Sequence, residues 1–154
     1  MNFNPKIKLS LDAKNKHEAI KELSLMLKES GKIDNLNNFI NEINKREEIL
    51  STYCGHGVAI PHCESTEVLE SGFAFGRSNG LIWDKNDDSV FFIILLAISK
   101  IEKTENLHIE MMSKIASLAL DEKIRKQWKD SKSITEIKNT FKIEDKWNFG
   151  KRLK

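Results

Sequence analysis

The sequence predicts a single-domain α/β fold, and three observations carry that reading. Segments of helical periodicity alternate with short apolar or alternating runs, the pattern of a layered α/β domain. The stretch Ser89 to Ile98 is apolar at successive positions, as a central strand covered on both faces must be. No internal repeat or low-complexity linker divides the 154 residues, a length that buries most of its apolar surface in one core.

The elements follow in order. Ile7 to Leu11 reads as a short first strand. Asn15 and Glu18 form a capping pair ahead of the stripe Ile20, Leu23, Leu27, and Gly31 stops that helix. A second helix starts near Asp34 or Asn35, with Leu36, Phe39, Ile40 and Ile43 on one face and Arg46 next along it. Val58 to Ile60 is a strand-like step, and Pro61 forces Ile60 to be extended, so His62 is expected where a strand ends. Phe73 and Phe75 alternate with small residues, and Leu81 to Trp83 offers a further pairing segment. From Glu105 to Leu120 helical periodicity returns. Met111, Met112, Ile115, Leu118 and Ala119 face the core, Thr104 and Glu105 suit the positive helix start, and His108 lies in the first turn. Two shorter helices follow, over Asp121 to Trp128 and after the capping pair Ser133 and Glu136. The domain is thus expected over 1–143, with a tail over 144–154.

Composition excludes several classes of function. Lys and Arg number 25 against 23 Asp and Glu, so the chain lacks the one-sided basic field of a nucleic-acid binder. The run Val90 to Ile98 is far shorter than the roughly 20 residues of a bilayer-crossing helix, and Met1 to Leu11 lacks a signal-peptide core. A cytoplasmic protein without membrane insertion is expected, with Cys54 and Cys63 as free thiols.

The densest chemistry lies in Ser51-Thr52-Tyr53-Cys54-Gly55-His56-Gly57-Val58-Ala59-Ile60-Pro61-His62-Cys63-Glu64. Glycines there permit backbone angles closed to other residues, and Pro61 fixes the chain just before an imidazole. A neutral imidazole nitrogen is a nucleophile near pH 7. Reversible attack on a phosphoryl group needs that nucleophile, in-line geometry and donors around the charged oxygens. No metal or other cofactor is required when the donor is itself a phosphohistidine. Structural readings stand beside the functional ones. Arg46 could satisfy the last carbonyls of its own helix, and His108 could be a hydrogen-bonded core histidine. His17 reads as a surface residue. Zinc held by Cys54, His56, His62 and Cys63 is disfavoured, because adjacent His62 and Cys63 cannot easily converge on one ion.

This segment resembles the enzyme IIA domains of the fructose and mannitol type in the sugar phosphotransferase system, which share a Ser-Thr, Gly-x-Gly, Ala-Ile-Pro-His loop. The resemblance runs roughly from Pro5 to Phe141 and includes Arg46-Glu47, Asp87-Asp88-x-Val90 and Leu107-His108. His56 with Ile60-Pro61-His62-Cys63-Glu64 is similar to galactitol-type members, while Tyr53 and Cys54 replace a glycine and an aliphatic residue usual in the family. The resemblance implies a sandwich with a central mixed β-sheet flanked by helices on both sides. It implies a phosphotransferase with a phosphohistidine intermediate, in which His62 is phosphorylated, His108 is the supporting histidine and Arg46 the site arginine. The histidine-phosphocarrier protein would be the donor and an enzyme IIB domain the acceptor, with an indirect link to membrane enzyme IIC. A regulatory enzyme IIA-like protein, whose phosphorylation state controls its partners, is the alternative. The sugar is not legible, because in this family it binds the membrane component.

Overall fold

The computed structural model describes residues 4–85, 89–101 and 107–142. Expectations for Asp87, Asp88, Thr104, Glu105 and the tail lie outside them, as does the side chain of His108. The chain runs β1 (Lys6–Lys8), α1 (Lys16–Glu29), α2 (Leu36–Ile49), β2 (Val58–Ala59), β3 (His62–Ser65), β4 (Gly72–Ile82), β5 (Ser89–Ser99), α3 (Leu107–Leu120), α4 (Glu122–Asp130) and α5 (Ile134–Thr140).

Local chemistry sets the helix ends. Asn15 accepts from the Glu18 backbone N–H at 2.9 Å, and the Glu18 carboxylate returns to Lys14 N–H at 3.1 Å. Asn35, Asp121 and Ser133 cap α2, α4 and α5 in the same way. At the far end of α1, Gly31 takes φ +81°, Gly31 N–H reaches Lys28 O and Lys32 N–H reaches Leu27 O, a Schellman closure. The first strand is shorter than expected and ends at Lys8. The chain then bends at Leu9 and Ser10, touches β4 again through Leu11 N–H to Arg77 O at 2.8 Å, and is held beyond it by the Glu22 carboxylate, which accepts from the N–H groups of Asp12 and Ala13.

The sheet is mixed, in the order β1-β4-β5-β2, with β3 also on β5. β4 and β5 are antiparallel and the other pairings are parallel. Leu81 and Ile82 are not a separate segment but the end of β4, which rejoins β5 after an irregularity between Arg77 and Leu81. Ala59, Cys63, Ala74, Ile93, Leu95 and Ala97 face one core, shared with Ile20, Leu23 and Leu27 of α1 and Phe39 and Ile43 of α2. Val58, Ile60, Phe73, Phe75, Phe92, Ile94 and Leu96 face the other, with Met111, Ile115, Trp128 and Ile137 from α3, α4 and α5. This double burial explains the unbroken apolar run of β5. Helices flank the sheet on both sides, as expected.

β2 and β3 are two pieces of one edge strand. Ala59 pairs with Ile93 and His62 with Leu96, so the register continues across Ile60 and Pro61. Pro61 has no N–H to donate, but its carbonyl accepts from Leu96 N–H at 2.9 Å, which an edge position allows. His62 therefore opens β3 part-way along the sheet's edge, rather than following the end of a strand.

Candidate active site

Two helix layers meet at this edge, and both bear on His62. Its pairing partner Leu96 faces the α3–α5 core, and paired residues of parallel strands share a face. Arg46 comes from the other layer. It lies in the last turn of α2, beside the stripe of buried Phe39, Ile43 and Glu47, and remains half-buried.

His62 is fixed by its own backbone. Its Nδ1 lies 2.9 Å from Ile60 O, and a carbonyl can only accept, so the hydrogen-bond pattern assigns the proton of the neutral ring to Nδ1. Nε2 then carries the free lone pair. It faces Arg46 Nη2 at 3.4 Å, while Arg46 Nη1 donates to Leu50 O at 3.2 Å. The two arms of the guanidinium part company: Nη1 satisfies the helix end and Nη2 confronts the imidazole. Such an arrangement offers a nucleophilic nitrogen with a fixed cationic donor for phosphoryl oxygens.

The loop before β2 has a definite shape. Gly55, His56 and Gly57 take φ of +86°, +56° and +76°, three successive left-handed residues that explain the Gly-x-Gly spacing. A Cβ on Gly57 would also come within 3.0 Å of the Phe91 ring. Tyr53 bridges Ala59, and Cys54 N–H bonds Val58 O at 2.9 Å, so the residues unusual for the family are built into the turn. His56 lines a separate cavity of about 860 Å³ with Arg77, Phe91 and Arg125 among its walls. His17 is exposed, 3.2 Å from Asn44 Oδ1.

Sequence reasoning assigned no role to Glu47, which is 3% exposed. Its carboxylate accepts from Thr52 N–H at 3.0 Å, Thr52 Oγ1 at 2.8 Å and Trp83 Nε1 at 2.6 Å. The available signal was an acidic residue four places after Ile43, on the apolar stripe of α2. Ser51 donates to Asp84, which also pairs with Lys16 at 2.8 Å. These two anchors account for the Ser51-Thr52 step.

The thiols are set apart from the imidazole. Cys63 faces the α1–α2 core, and burial pushes its thiol up to about 11, so it holds its proton near neutrality. Cys54 is exposed, yet partial desolvation of its sulfur within the turn also raises it above the ordinary thiol value. His108 falls in the first turn of α3, the helix whose Met111 and Ile115 pack on the face that His62 shares.

The molecule is thus a mixed-sheet α/β sandwich with a histidine–arginine pair at its edge. Residues 2–143 match the family model described as phosphoenolpyruvate-dependent sugar phosphotransferase system, EIIA 2, and the chain belongs to that family. It is 32% identical over 141 residues to the PTS system fructose-specific EIIABC component of Bacillus subtilis, covering 91% of this chain but 22% of that longer protein. Against the mannitol-specific phosphotransferase enzyme IIA component of Staphylococcus aureus (strain Mu50) it is 28% identical, over 92% of this chain and 95% of the relative. In fold it is similar to the mannitol enzyme IIA of Escherichia coli, solved in complex with phosphorylated enzyme IIB. There the TM-score is 0.71 at 23% identity, over 86% of this chain and 90% of that one. Among the described residues, no helix is long and apolar enough to cross a membrane.

Proposed function

We propose that this chain is a phosphocarrier of a fructose- or mannitol-type sugar phosphotransferase system, taking a phosphoryl group onto His62 Nε2 and passing it to an enzyme IIB domain. The observation that carries this reading is the ring's orientation, with Nδ1–H held by Ile60 O and Nε2 aimed at Arg46. The donor is the phosphohistidine of the histidine-phosphocarrier protein. A bond forms from His62 Nε2 to phosphorus as the donor's N–P bond breaks, and the donor imidazole leaves with its lone pair. No proton has to move. The phosphorylated ring keeps its Nδ1 proton, and its new positive charge strengthens the bond to Ile60 O.

Arg46 neutralises the arriving oxygens without leaving its helix-end anchor. His108, at the positive end of α3, supports the phosphorylated ring. The recipient assignment draws on the Bacillus relative, whose name joins A, B and C components in one chain, and on the enzyme IIB complex of the mannitol protein. Residues 1–143 form the phosphocarrier domain, and the protein works at the cytoplasmic side of membrane enzyme IIC.

The test is incubation with phosphoenolpyruvate, enzyme I and the histidine-phosphocarrier protein, followed by intact mass. One acid-labile phosphoryl group is expected on the native chain and none on His62→Ala. Equal labelling of the alanine variant overturns the site.

A further inference from the structure

Glu47 is an acidic side chain buried in the last turn of α2, immediately after Arg46. Its oxygens meet donors from the loop that leads to His62 and from Trp83, just past β4. From there the contacts continue toward the imidazole. Thr52, held through its N–H and Oγ1 by Glu47, accepts Ile60 N–H on its carbonyl at 3.1 Å. Ile60 in turn accepts His62 Nδ1–H on its own carbonyl at 2.9 Å. One helical turn thereby fixes both halves of the pair, Arg46 directly and His62 through Thr52 and Ile60.

We propose that Glu47 is the positioning residue of this site, its carboxylate setting the approach of His62 Nε2 to Arg46 Nη2 and holding the ring in its Nδ1–H tautomer. The inference rests on the reading of His62 as phosphoryl acceptor. Its effect is mechanical. Successive bonds pass through different peptide units, so what travels along them is position. Burial makes the brace stiff, because Thr52 N–H, Thr52 Oγ1 and Trp83 Nε1 would lose their common acceptor if the carboxylate withdrew. Transfer is sensitive to such placement, since a displacement of about 1 Å can cost on the order of 100-fold in rate.

The discriminating variant is Glu47→Gln, nearly isosteric but with an NH₂ group where a second acceptor stood. With the amide oxygen kept at the Oε1 position, where it still meets Trp83 Nε1, Thr52 Oγ1 and, at 3.1 Å, Thr52 N–H, the new NH₂ group stands where Oε2 lay 3.0 Å from the same N–H, and that donor–donor contact displaces the peptide. Protein labelled with 15N-histidine reports the tautomer independently of any transfer reaction. The native His62 is expected to give separate protonated and unprotonated ring-nitrogen signals, with the proton on Nδ1. Glu47→Gln should average or exchange them, and should slow phosphoryl acceptance roughly 10-fold to 100-fold with the donor's KM unchanged. Leu23→Ala, in the α1 core, controls for lost stability and should keep native His62 signals and rate.

Native signals and native rate in Glu47→Gln overturn the proposal, as does an equal loss in Leu23→Ala. If Glu47→Gln does not fold, Thr52→Val and Thr52→Ser decide. The valine variant should mix the tautomers and the serine variant restore them; native signals in the valine variant overturn the proposal. Failure of the acceptor reading shows differently, as labelling of His62→Ala, and leaves the tautomer comparison standing.

Discussion

Arg46 and Arg77 each meet the C-terminal end of a helix, but they spend their donors differently. Arg77, on β4, gives Nε to Leu9 O at 2.9 Å and Nη1 to Trp128 O at 2.8 Å and Ser131 O at 2.6 Å. Those last carbonyls belong to the close of α4, so its charge is taken up by a helix end and the neighbouring backbone. Arg46 donates Nη1 to one carbonyl and leaves Nη2 beside His62 Nε2. A guanidinium can be divided in this way because its fork is planar and rigid: one arm anchors while the other stays aimed. The contrast separates an arginine whose donors are spent on backbone carbonyls from one that keeps an arm beside an imidazole, where the proposed function needs a donor for the phosphoryl oxygens.

Substitutions should pull these roles apart. The largest effect is expected at His62→Ala, which removes the proposed phosphoryl acceptor and should abolish all labelling. Arg46→Ala should slow phosphoryl acceptance on the order of 100-fold while leaving the melting temperature close to native. Rapid-quench labelling together with calorimetry checks both halves; a native rate would show that Nη2 does not meet the phosphoryl group. Arg77→Ala should do the reverse, costing about 2–3 kcal/mol of stability in urea titration with little change in transfer rate. Equal losses of rate and stability in the two variants would break the comparison. Arg46→Lys should fall between, roughly 10-fold slower, because a single ammonium cannot serve Leu50 O and the phosphoryl oxygens together.

Sequence legibility followed the range of the interactions. Caps at Asn15 and Ser133 were readable because an N-cap bonds a backbone group three residues away. β5 was readable because both its faces are buried. The edge strand was misread at His62: Pro61 signals a break in donation, and only the partner strand reveals that its carbonyl is still used. β4 was divided in two for a similar reason, since residues 78–80 break the pattern locally while the ends stay paired with β5. His62 and Arg46 were legible as residue types in a motif, and their approach at 3.4 Å required α2 to end where it does. Glu47 escaped because its meaning depends on Trp83, 36 positions away.

His62 and Cys63 repeat the contrast between the arginines within a single strand, since neighbouring side chains point to opposite faces of the sheet. The imidazole is half-exposed at the edge, whereas the thiol is buried against the α1–α2 core. Burial raises that thiol from 9.0 to about 11, so the folded chain keeps a proton that the unfolded chain releases over this interval. The sign follows from linkage: the folded state binds more protons between pH 9 and 11, so the Cys63 contribution to stability is complete below that window and declines as pH rises through it. Cys63→Ala should flatten this part of the stability profile relative to the native chain, measured by urea titration at successive pH values. At pH 8, iodoacetamide should modify exposed Cys54 well before Cys63, whose alkylation should follow unfolding. Rapid labelling of Cys63 in the folded protein would place the thiol at the open edge with His62, and the division of the two faces would fail there.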